Sequence, residues 1–169
     1  MANILSLVVG TVLMFVAASA SAQAPMAPAA PAPPPDYGPA ITLEQAKKVM
    51  AGAEAEAKKN KWNVVITILD SGAHVVMVSR LDGTQFGSID VARDKAYSAV
   101  AFRRPTKVFQ DLIAQGGANL RLLNLSGASM LEGGIPIVVG GKLIGAIGVS
   151  GVTSQQDAQI AQAGIDALK

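Results

Sequence analysis

The stretch that decides the fold is residues 135–151, IPIVVGGKLIGAIGVSG. Its two runs, 135–139 and 142–149, are rich in β-branched residues, which favour strands. The pair Gly140-Gly141 between them is typical of the two-residue turn of a β-hairpin, because both turn residues need a positive φ. A hairpin commits this part of the chain to an antiparallel sheet.

A second hairpin is predicted earlier in the chain. The apolar runs 62–69 and 73–81 are separated by Asp70-Ser71-Gly72, whose residue types favour a tight turn. Both runs are apolar at odd and even positions alike. We therefore expect both faces of this sheet to be covered by other elements.

The glycines of the later hairpin are an unusual feature of a strand. Gly145 and Gly148 fall on opposite faces, because side chains alternate along a strand. Glycine weakens a strand, so we expect each to allow close approach of another backbone or a ligand. With Gly151 they form G-x-x-G-x-x-G, which is not the dinucleotide-binding pattern, and too little chain follows for the rest of that motif.

Helical signals surround the hairpins. Capping boxes at Thr42–Gln45 and Thr153–Gln156 predict one helix to about residue 60 and another to the end of the chain. Apolar residues at helical spacing predict a third helix over 89–102. Pro105 interrupts that spacing, and Thr106 can cap a further helix.

The order of these elements is α-β-β-α-α-β-β-α, with a helical turn expected over 119–125 and an extra edge strand over 128–131. Two hairpins separated by helices favour an α+β fold rather than a doubly wound parallel sheet. The sequence thus predicts a central antiparallel β-sheet with helices on both faces, a three-layer α-β-α sandwich.

The first 40 residues differ in composition from the rest. Residues 4–18 are almost all apolar, and small-x-small motifs end at Ala22, as in a secretory signal peptide. An uncleaved membrane anchor is the alternative. A proline-rich stretch follows, which favours extended chain. We predict a signal peptide at 1–22, a Pro/Ala-rich linker at 23–40 and a folded domain at 41–169, in a periplasmic or secreted protein.

Composition excludes several classes of function. The chain has no cysteine and a single histidine, so thiolate catalysis, cysteine zinc sites and a bis-histidine site within one chain are excluded. The formal net charge is +2, and the cations are scattered rather than arranged in a stripe. We therefore expect no nucleic-acid binding.

Cations cluster around the predicted helix 89–102. Beside an apolar cleft they would suit a flat anionic ligand, and otherwise they form a solvated helix face. His74, just after the first hairpin turn, is interpreted more readily as a surface residue than as a ligand. The candidate residues of this cluster are Arg80, Arg93, Lys95, Arg103, Arg104 and Thr106.

Five motifs in order resemble the GlcG/HbpS-like family, which also includes the C-terminal domain of PduO-type proteins. They span the predicted domain 41–169. The motifs are Ile68-Leu-Asp-Ser-Gly72, Asp90-Val-Ala-Arg-Asp-Lys-Ala96, Arg104-Pro-Thr106, Gly133-Gly-Ile-Pro-Ile137 and Ile144-Gly-Ala-Ile-Gly-Val-Ser-Gly151.

The resemblance implies a homo-oligomer that binds haem and in some members degrades it or modulates a membrane sensor kinase. It makes Thr106 a candidate iron ligand, with His74 as a second group near the iron. Arg103 or Arg104 would meet the haem propionates, and Lys95 belongs to the same cofactor-binding set. A non-catalytic partner module and a protein binding a small carboxylate are the alternatives, and no catalytic residue is assigned.

Overall fold

A computed structural model describes residues 33–169 of the chain. The predicted signal peptide and the first part of the predicted linker lie outside these residues. Within them, no helix combines the length and apolar character needed to cross a membrane. The elements are β1 (Asp36–Tyr37), α1 (Leu43–Lys59), β2 (Val65–Asp70), β3 (Val75–Arg80), α2 (Ser88–Ala101), α3 (Lys107–Ala114), a 3₁₀ helix (Gly117–Asn124), β4 (Gly134–Val139), β5 (Lys142–Ser150) and α4 (Ser154–Asp166).

The five strands form one sheet with β5 at its centre. β4 pairs antiparallel along one edge of β5. On the other edge β2 pairs antiparallel with residues 145–150, and β3 follows β2. The predicted antiparallel sheet is confirmed, with one exception. β1, within the segment predicted as linker, runs parallel to β5 at Lys142 and Leu143. No strand forms over 128–131, so the extra edge strand was wrong.

Glycine sets the geometry of the central strand. Gly140 and Gly141 have φ angles of 56° and 76°, as the predicted hairpin turn requires. A Cβ on Gly148 would lie 2.0 Å from the Ala92 carbonyl oxygen of α2. The expected close approach of another backbone is therefore confirmed there, and α2 packs directly against the sheet.

Helices cover both faces, as predicted. α1 and α4 pack together on one face, over a core that includes Ile66, Ile147 and Ile160. α2 covers the other face, chiefly over β5, β2 and β4. β3 lies beyond the reach of α2 at the sheet edge, so Val75 and Val78 are exposed. The predicted cover on both faces therefore holds for the sheet but does not extend to this edge strand.

Candidate functional site

Arg103 lies just past the C-terminal end of α2. Its backbone is in the left-handed region, with φ of 53°. The guanidinium lies 5.5 Å from the ring centroid of Tyr37, and Nη1 donates to the Pro35 carbonyl oxygen at 3.4 Å. The Tyr37 hydroxyl in turn donates to the Val100 carbonyl oxygen at 3.0 Å. Arg103 therefore fastens the extended N-terminal segment to the domain.

Arg104 and His74 are accessible but lie on different elements. Arg104 is exposed, and its Nε donates to the Phe102 carbonyl oxygen at 3.0 Å. The His74 side chain is 82% exposed on the β2–β3 turn, with Nδ1 3.4 Å from Asp70 Oδ1. Within residues 33–169, no hydrogen bond joins either side chain to Thr106.

Lys95 is buried in an ion pair and does not face a ligand site. Its Nζ lies 2.7 Å from Asp157 Oδ2 and donates to the Val149 carbonyl oxygen at 2.9 Å. The other oxygen of Asp157 accepts from the Val152 amide at 3.3 Å. Burial raises the pKa of Asp157, and the neighbouring ammonium opposes that rise. Lys95 therefore links α2 to α4, and meeting a propionate would require this pair to break.

Thr106 is also fully buried. It occupies the N-cap position of α3, as predicted, but its side chain makes no cap hydrogen bond. Its Oγ1 instead accepts from the Gly134 amide at 3.0 Å, and its own amide donates to the Gly134 carbonyl oxygen at 2.9 Å. A long-range contact with β4 has replaced the local cap, and the hydroxyl faces the protein interior.

A cleft of about 340 Å³ lies next to Thr106, between α3 and α4. Its wall includes Pro105, Gly134 and neutral residues of α4, but not Thr106 itself. The cation on its rim, Lys107, is paired with Asp111 at 2.8 Å. The cleft thus offers no unpaired cation for an anionic ligand, and the Glu132 carboxylate in its wall would repel one.

A different cleft, of about 300 Å³, lies on the outer face of α2. Tyr97 stands in its wall and is 43% exposed. The opposite wall is a loop whose Gly127 has φ of 77°, and a Cβ there would lie 2.7 Å from Tyr97 Cε1. The backbone therefore lies against the tyrosine ring. The residues lining the cleft are Val91, Asp94, Tyr97, Gly127, Ala128, Ser129 and Leu131.

Exposed leucines lie in the 3₁₀ helix and the loop after it, and one of them, Leu131, lines the outer-face cleft. Four leucines of the 3₁₀ helix and the following loop are exposed, and Leu123 is 62% exposed. Neither these exposed leucines nor Tyr97 was among the candidates predicted from the sequence. The available signal was an aromatic residue on the outward side of an alanine-rich helix, followed by leucines in a stretch with no clear element. The four leucines are Leu120, Leu123, Leu125 and Leu131.

The family model and the similar proteins point to the same family. The model of the family described as haem-degrading protein HbpS-like matches residues 41–166. The protein GlcG of Escherichia coli K12 is 37% identical over 110 residues, which are 65% of this chain and 81% of GlcG.

Two solved structures share the fold. The crystal structure of HbpS has a TM-score of 0.71 and 30% identity, covering 78% of this chain and 92% of HbpS. The crystal structure of a PduOC–haem complex has a TM-score of 0.70 and 28% identity, covering 76% of this chain and 94% of that one. The chain belongs to the HbpS-like family.

Proposed function

We propose that this protein binds haem. The observation that carries the proposal is the similarity to the haem complex of PduOC, which extends over 94% of that chain. The family match over residues 41–166 supports it independently. We assign the haem-binding surface of this chain to the outer-face cleft, where the partly exposed Tyr97 stands beside apolar residues and where Asp94 and Ser129 supply the polar part of the wall.

The residues of this cleft fit one side of a porphyrin. Val91, Ala128 and Leu131 supply apolar surface, and the Tyr97 hydroxyl is an oxygen donor beside it. Arg93, one helical turn from Tyr97, has a side chain that is 63% exposed, and its Nε is 3.9 Å from Asp94. Such a long contact leaves the guanidinium able to meet a propionate. Bound haem would supply redox and oxygen chemistry, while the chain supplies the binding surface.

We also expect this surface to mediate self-association of the protein. Leu131 in the cleft wall and the exposed leucines of the 3₁₀ helix and its loop are apolar groups that a second copy of this chain would cover. A homo-oligomer would also cover the part of the haem that a shallow cleft leaves in water. Light scattering tests this. We expect Leu123→Asp to lower the mass of the assembly, whereas Val75→Asp, at the β3 edge, should leave it unchanged. An unchanged mass for Leu123→Asp would contradict this interface.

We further propose a location outside the cytoplasm, degradation of the bound haem and a protein partner. The signal peptide predicted at residues 1–22 would deliver the protein to the periplasm or outside the cell. A membrane sensor kinase is the proposed protein partner. Haem degradation would be driven by the bound iron together with an oxidant. Absorbance of the haem complex under peroxide tests degradation, which should bleach the Soret band faster than in free haem.

Haem titration of the full chain tests the central proposal. We expect a saturable Soret shift and an increase in thermal stability with haem, because a ligand that binds the folded state raises stability. Lys95→Met should keep the shift, since Lys95 is buried away from the cleft. The absence of a shift at micromolar haem would overturn the proposal. Stabilisation by small carboxylates alone would favour the carboxylate-binding alternative.

A further inference from the structure

The oxygen and nitrogen donors that sequence analysis nominated for iron do not fit that role. Thr106 Oγ1 is buried and accepts the Gly134 amide at 3.0 Å. His74 has an exposed ring on a polar turn, beside Asp70. An axial ligand must be accessible and must stand in a wall that can cover a porphyrin, and neither residue meets both conditions.

The two tyrosine hydroxyls differ in whether they are free to bind a ligand. The chain has two tyrosines. The hydroxyl of Tyr37 is engaged with the carbonyl oxygens of Val100 and Ala101 at 3.0 and 3.2 Å. The hydroxyl of Tyr97 has no hydrogen-bond partner within residues 33–169, and its ring stands in the wall of the outer-face cleft. Tyr97 is thus an accessible oxygen donor in the cleft wall, unpaired within the described residues, whereas the Asp94 carboxylate in the same wall faces the Arg93 guanidinium at 3.9 Å.

The position of Tyr97 is held by the backbone around it. The inner side of α2 packs so closely on β5 that a Cβ on Gly148 would lie 2.5 Å from the Ala96 amide nitrogen. This contact fixes the helix, and it turns the neighbouring residue 97 outward. Gly127, with its positive φ, backs the ring from the loop side. The ring is therefore set in place before any ligand arrives, which lowers the entropic cost of binding.

We infer that Tyr97 is the axial ligand of the haem iron in this protein, an inference that rests on the proposed haem binding. The phenol releases its proton to water, and the phenolate oxygen forms the bond to ferric iron without a change in the iron's oxidation state. Tyrosine serves as an axial haem ligand elsewhere, and its hard oxygen suits ferric iron.

The experiment compares Tyr97→Phe with Tyr37→Phe in the full chain. Each variant removes one hydroxyl and keeps the ring, and together they cover every tyrosine. The ferric complex of the wild type should show a phenolate-to-iron charge-transfer band and tyrosinate modes in resonance Raman spectra. We expect Tyr97→Phe to lose both signals and to weaken haem affinity by about tenfold or more. Tyr37→Phe should keep the band, the modes and the affinity.

The outcomes separate this inference from the function on which it rests. If the wild type shows no Soret shift, haem binding itself fails. If the wild type binds haem but lacks the phenolate signals, or if Tyr97→Phe retains them, the assignment of the ligand is wrong while haem binding stands. Circular dichroism checks that the variant is folded, and the partly exposed hydroxyl gives no reason for it to unfold.

Discussion

Replacing Lys95 by methionine removes an ammonium group from the interior and leaves its partner behind. Asp157 would keep its buried place and one hydrogen bond, from the Val152 amide at 3.3 Å. It would lose the Lys95 contact at 2.7 Å. Breaking a buried ion pair by removing one partner costs about 3 to 5 kcal/mol, because an uncompensated charge is left. A domain of this kind has about 5 to 15 kcal/mol of stability, so the loss should be large.

The double variant Lys95→Met/Asp157→Leu separates charge from packing. Since both charges are then absent, we expect most of the lost stability to return. Urea unfolding followed by circular dichroism gives the free energy of unfolding for the wild type, both single variants and the double variant. A loss below about 1 kcal/mol in Lys95→Met would refute the account of the pair as a buried link between α2 and α4.

The same variant has a predicted pH dependence. Burial raises the pKa of Asp157 above its usual value of 3.8, and Lys95 is the main group that opposes this rise. Without Lys95 the pKa in the folded state should rise further. A raised pKa means that stability is retained below the unfolded value and is lost as the pH rises through the folded value. The deficit of Lys95→Met should therefore be larger near pH 8 than near pH 4, and an equal deficit would exclude Asp157 as its source.

Two further predictions concern close backbone contacts. Gly148→Ala should destabilise the domain by about 3 kcal/mol or more, because the new Cβ would clash with the backbone of α2. Thermal melts measure the loss. Gly87→Ala, where a Cβ has open space, is the control. Thr106→Val should cost about 1 to 3 kcal/mol, because the Gly134 amide is left buried without an acceptor. Thr106→Ser keeps the acceptor and should lose much less stability, and a Ser variant as unstable as Val would contradict the hydroxyl as the main source of the loss.

The parts of the fold that depend on local chemistry were predictable. The glycine pair at 140–141 and the capping boxes at Thr42 and Thr153 act within a few residues, and the structure has all three. β1 was not predictable, because two residues gain their register from β5 and from the Tyr37 hydroxyl. Thr106 takes the predicted N-cap position, but its hydroxyl bonds the distant Gly134 amide instead of an amide of the helix, for the same reason.

The roles of the candidate site residues were harder to predict, because distant contacts set them more than residue type does. Charge alone nominated Lys95, yet the carboxylate that neutralises it lies 62 residues further along the chain. Arg103 was nominated for propionates, yet it holds Tyr37 and Pro35. No local pattern distinguishes a paired cation from a free one. Tyr97 was missed because its importance comes from the loop that packs against it.

The packing of α2 itself decides where a ligand can bind. On its inner side, glycines at 148 and 134 bring strand backbone to within van der Waals contact of the helix backbone. A flat ligand cannot enter there unless the helix leaves the sheet, which would expose the core around Leu69 and Ala146. The outer side of α2 has the opposite character, with a cleft and exposed apolar groups. The side of α2 that can meet a ligand is therefore its outer side, where Tyr97 stands in the wall of the cleft.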